Sequence, residues 1–165
     1  MKQTRVSTLI GAAVATGILA FGICAWMVRA GAPVPISTTQ FLLMLPTVAA
    51  ILIILALPIF RYRAAIKAAL ENPKDPKVTA AIKRVDGFYA LRVAMLSKAV
   101  SVAGSMFVGW HLGVLINVLS SPQWTAGSLW RCIFGVLGAG SMIAAGIIVE
   151  RSCKIPPDAE SDVPA

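Results

Sequence analysis

Few residues in this chain are equipped for chemistry, and their spacing limits what they can do. The cysteines Cys24, Cys132 and Cys153 lie far apart, with no C-x-x-C pair. Zinc sites and dithiol redox centres use closely spaced cysteines, so neither is indicated. A disulfide between Cys24 and Cys132 is conceivable and not expected. Cys153 stands beside Arg151 and Lys154, cations of the kind that stabilise a thiolate. A nucleophile also wants a neighbouring base, and none is near in sequence. His111 is the sole histidine. Proton relay and metal binding need partner groups, so His111 and Asn117 read as interhelical hydrogen-bonding residues. There are no paired carboxylates in a plausible pocket, no Ser-His-acid set, no P-loop and no dinucleotide fingerprint. The expectation is a chain without catalytic residues, metal or cofactor.

Small and charged residues carry more pattern. Ser97, Ser101, Ser105, Gly109 and Gly113 recur every four residues and predict one ridge of small side chains on a helix. Gly135 with Ala139, and Ser141 with Ala145, make similar faces. Such ridges let helix backbones approach closely, either within one bundle or across a homodimer or partner interface. Lys98 and Arg92 flank the start of the same segment. Lys98 can snorkel to the membrane surface, because helical side chains lean toward the helix N-terminus.

These residues must be held by long apolar elements. Of 165 residues, 58% are hydrophobic and 13% charged, about half the charge of a soluble domain. A soluble core this small cannot bury that much apolar surface. Residues 9–28, 41–60, 99–119 and 132–149 are free of formal charge. Each approaches the roughly 20 residues that a helix needs to cross a bilayer. None alternates as a barrel strand does. The fold class expected is therefore all-α, an integral membrane bundle with spans at 9–28, 41–60, 93–119 and 132–149. The first run follows a basic start, Lys2 and Arg5, and precedes Val28-Arg29-Ala30, which loosely resembles a cleavage site. It is longer than a signal-peptide core, so an uncleaved helix is expected.

Charge orients the bundle. Arg61, Arg63, Lys67, Lys74, Lys77, Lys83, Arg84 and Arg92 lie between spans two and three, Lys2 and Arg5 at the N-terminus, Arg151 and Lys154 after span four. The other two loops hold only Arg29 and Arg131. The positive-inside rule places both termini and the 61–92 loop in the cytoplasm of a plasma-membrane protein. Topology thus accounts for the net charge of +8, and no nucleic-acid partner is expected. Within the loop, 61–71 reads as a basic helix continuing span two past Pro58. Asp75-Pro76 opens a second helix over 77–85, and Asp86-Gly87 caps or breaks before span three. The loop is thus a basic helical hairpin near anionic headgroups, and residues 156–165 form a proline-rich, disordered tail after a 1–155 membrane domain. Residues 29–40 and 120–131 are outer turns. Trp124 and Trp130 suit the membrane interface. Pro46 reads as an ordinary first-turn proline of span two.

Two stretches carry a resemblance. Asp86-Gly87-Phe88-Tyr89-Ala90-Leu91-Arg92, running into Leu96-Ser97-Lys98-Ala99, Gly104 and Gly109-Trp110, is the first. Glu150-Arg151-Ser152-Cys153-Lys154-Ile155-Pro156-Pro157-Asp158 is the second. Together they resemble an actinobacterial family of small four-helix membrane proteins, domain-of-unknown-function family 3180. Gly87 and Ser152 depart from its usual proline and aromatic residue. The resemblance implies no activity. It directs attention to Asp86, Arg92, Lys98, Glu150, Arg151 and Cys153, all expected at the cytoplasmic interface with lipid or a partner. The functional expectation is an accessory or scaffold protein packing with itself or another membrane protein. The alternative is a small oligomeric transporter or channel using the polar line Ser97, Ser101, Ser105, His111 and Asn117.

Overall fold

The computed structural model describes residues 5–71, 86–121 and 125–153. Four helices occupy them: α1 (Val6–Arg29), α2 (Thr39–Glu71), α3 (Gly87–Ser120) and α4 (Ala126–Ser152). All four are long and apolar enough to cross a membrane. At 1.5 Å per residue, even α1 is about 36 Å long, against roughly 30 Å of hydrocarbon. The helices overrun the apolar runs at both ends because caps and charged turns extend them. Residues 61–71 continue α2 as a single helix through Pro58. The expected second helix of the hairpin, over 77–85, and the 156–165 tail lie outside the described residues.

Local chemistry sets the helix ends. α1 closes in a Schellman motif: the Ala32 N–H donates to the Met27 carbonyl at 2.9 Å and the Gly31 N–H to Val28 at 3.1 Å. That geometry needs a left-handed residue, and Gly31 supplies it at φ +75°. Asp86 caps α3, its carboxylate accepting from the Phe88 N–H at 3.1 Å. Thr125 caps α4 by accepting from the Ser128 N–H. The α4 start corrects the expected 120–131 turn, since Trp130 and Arg131 lie on the helix. Pro46 is also corrected. α2 begins at Thr39, which puts this proline two turns inside the helix. It has no N–H for the Leu42 carbonyl, whose oxygen faces the side-chain-free Gly138 of α4.

Packing follows the order α1, α3, α4, α2. α3 lies between α1 and α4, and α2 packs mainly on α4 with a lesser contact to α3. No Cα of α1 comes within 8 Å of α2 or α4 among the described residues. Cys24 on α1 and Cys132 on α4 are both buried, yet their Cα atoms are too far apart for a disulfide. The larger core joins α2, α3 and α4 through Leu45, Leu52, Ile59, Val100, Met142 and Val149. A smaller cluster, where α1 and α3 end and α4 begins, holds Cys24, Val114, Val118 and Cys132.

Glycine and serine set how closely the helices approach. A Cβ on Gly109 would strike the Ala13 carbonyl and Thr16 of α1, and one on Gly113 the Gly17 carbonyl. A Cβ on Gly146 would strike Ser101 of α3. The four-residue ridge of α3 therefore serves two neighbours rather than one. Four residues turn a helix by about 400°, so each step gains about 40° and the ridge winds about 160° from Ser97 to Gly113. Its serine end meets α4 and its glycine end meets α1.

Candidate functional site

The sequence-selected charged residues gather at the basic end of the bundle, where α2, α3 and α4 meet. The C-terminus of α4 is the hub. A helix leaves its last carbonyls without intrahelical partners. The Arg63 guanidinium of α2 donates to the Arg151 carbonyl at 3.1 Å and fills one of those vacancies. From α3, the Lys98 ammonium stands 4.0 Å from the Glu150 carboxylate, with a third of the Lys98 side chain exposed. A pair this long and wet contributes about 0–1 kcal/mol, so it orients the helix ends more than it binds them. Tyr89 adds a third tie. Its hydroxyl donates to the Leu55 carbonyl of α2 at 2.7 Å, one residue beyond the carbonyl that Pro58 leaves without an N–H.

Cys153 sits in this cluster, half-buried against the larger core. Burial pushes its thiol above the ordinary range. Arg63 pulls it back, and Glu150 pushes it up again. A thiol in that balance stays protonated at neutral pH, which fits an inert packing residue. Asp86 serves as a helix cap, and Arg92 is exposed, with no contact among the described residues tying it to the Arg63–Glu150 group. The structure thus brings together Lys98, Glu150, Arg151 and Cys153, and leaves Asp86 and Arg92 apart. Arg63 and Tyr89 join the site without having been singled out. The signals for them were the basic helix after Pro58 and the tyrosine within the first motif.

At the other end, His111 is buried. Its Nδ1 lies 2.8 Å from the Phe107 carbonyl, so it carries the proton and donates there. Nε2 then accepts from the Ser37 hydroxyl at 3.2 Å. The ring stacks on Phe41 and rests against Gly135, where any side chain would collide with it. The partner of His111 is thus in the segment before α2 rather than on a helix. Asn117 is also buried, and its Oδ1 has no hydrogen-bond partner among the described residues. The serines of the expected polar line are turned inward on their own helix. Ser97 donates to Ala94, Ser101 to Ser97 and Ser105 to Val102, at 2.7–3.0 Å.

The family model described as "Protein of unknown function (DUF3180)" matches residues 9–157. The chain belongs to that family. The match covers all four helices nearly end to end, the whole first motif and the second as far as Pro157. No curated protein and no solved structure matches the chain.

Proposed function

We propose that the chain is a four-span protein of the plasma membrane, with both termini cytoplasmic, that acts as a non-catalytic accessory or scaffold. The observation that carries this reading is how the interior is filled. Backbones meet at glycines, and the serine hydroxyls of α3 donate to carbonyls of their own helix. Such a core holds helices in fixed register and leaves little polar lining for a solute path. What remains for partners is outside. Large apolar side chains are exposed along every helix, as lipid or another membrane protein requires. The basic end presents Arg61, Arg63, Arg92 and Arg151 to anionic headgroups or an acidic partner. A homodimer through the small-residue ridge of α3 is disfavoured, because α1 and α4 already cover it.

The test is a mild-detergent capture of the tagged protein from its native membrane, read by mass spectrometry against a topology-matched control. A stoichiometric partner supports the scaffold role. Substrate turnover or flux by the pure protein overturns it. The rival reading, a small oligomeric transporter or channel, draws on the Oδ1 of buried Asn117, which has no hydrogen-bond partner among the described residues. It requires solute flux in proteoliposomes that is lost in Asn117→Ala or His111→Ala.

A further inference from the structure

We infer that a furrow between α2 and α4, at the end of the bundle opposite the Arg63–Glu150 group, binds one acyl chain of an anionic phospholipid whose phosphate is held by Arg131. The inference rests on the membrane-spanning reading above and not on the scaffold role.

The furrow has a volume of about 580 Å³ and walls formed by Leu42, Leu43, Pro46, Phe134, Leu137 and Gly138. That volume falls within the roughly 300–1,000 Å³ of ordinary ligand sites. Pro46 and Gly138 create it together. Gly138 has no side chain, and a Cβ there would stand 3.2 Å from Leu45 and 3.3 Å from the Pro46 ring. The helices therefore touch at that level and leave a trough beside the contact.

Length and charge identify the occupant. The furrow extends along α4 from Arg131 to Ser141. Ten residues of helix rise about 15 Å, half of the roughly 30 Å hydrocarbon core, so the furrow is one leaflet deep. A partner helix crossing the whole bilayer would need a groove about twice as long. Trp130 and Arg131 stand at the mouth, within the first two turns of α4. An interfacial tryptophan marks headgroup depth. A guanidinium matches a phosphate with two parallel hydrogen bonds. Arg131 is exposed and has no protein partner among the described residues. Apolar walls one leaflet deep beneath a single cation have the shape and charge of a phospholipid with net negative charge.

The test uses the full chain in nanodiscs of phosphatidylcholine containing a minor fraction of phosphatidylglycerol with a photoreactive acyl chain. Adducts are mapped by peptide mass spectrometry. We expect them to concentrate on Leu43, Phe134 and Leu137. Arg131→Ala should lower them about three- to tenfold, in line with losing one charge-assisted contact near water. Arg29→Ala, at the matching end of α1 and away from the furrow, should leave them unchanged. Leu137→Trp, which crowds the furrow from an exposed position on its wall, should also lower them while helicity and elution volume stay the same. Labelling spread evenly over Ile10, Leu19 and the furrow would overturn the proposal, as would no response to Arg131→Ala. Copy-to-copy cross-links from Leu137 that exclude the probe would also overturn it, by making a second chain the occupant. Flotation with liposomes separates these outcomes from a failure to insert, which would remove the membrane reading itself.

Discussion

At Gly109 the absence of one methyl group decides whether α1 can reach α3. The Ala13 carbonyl and Thr16 occupy the place where a Cβ would stand. Gly109→Ala should therefore destabilise the bundle by about 1–3 kcal/mol, the usual range for overpacking. Gly11→Ala is the matched control. Nothing lies within 4 Å of a Cβ there, so it should be neutral or gain about 0.5–1 kcal/mol from helix propensity. Unfolding in mixed micelles measures both. Cys153 gives a second prediction at this scale. Burial raises its thiol, so the thiolate fraction at pH 7 is below that of a free cysteine. Alkylation at Cys153 should be slow at neutral pH and accelerate only as pH rises past the ordinary thiol range. Fast labelling at pH 7 with a small maleimide would show that Arg63 outweighs burial.

At the scale of the helix, Tyr89 tests how α2 and α3 are joined. Tyr89→Phe removes the hydroxyl that donates to the Leu55 carbonyl and should cost about 0.5–1.5 kcal/mol. The same micelle unfolding assay reads it, with Phe88→Leu at an exposed neighbouring position as the near-neutral comparison. The four helices were legible in the sequence as long apolar runs of about the length that a membrane span needs. Their starts were less so. α4 begins at Ala126 behind the cap Thr125, which the expected 120–131 turn concealed, and Pro46 lies past the first turn whether α2 starts at 41 or at Thr39. The small-residue ridge was visible as a pattern. Its division between two neighbours was not, since a spacing of four looks like one face until the helix twist is added over several turns. The contacts of Arg63 with Arg151 and of Ser37 with His111 depend on which helices are neighbours. Local sequence does not carry that order.

Across the whole molecule, the order α1, α3, α4, α2 leaves α1 packed mainly on α3 among the described helices. Its exposed residues include Val14, Ile18, Leu19 and Trp26. In water so much open apolar surface would drive aggregation, and in a bilayer it is the expected lipid-facing side. On the proposed topology, the charge asymmetry between the two ends would set the direction of insertion. The most direct test is labelling by a membrane-impermeant thiol reagent. Single cysteines are placed at Ser7, Thr38, Gly87 and Ala126 in a variant whose native cysteines are replaced. In intact cells Thr38→Cys and Ala126→Cys should label, while Ser7→Cys and Gly87→Cys should label only after permeabilisation. The reverse pattern, or labelling of all four positions from one side, would contradict a four-span protein with its basic end in the cytoplasm.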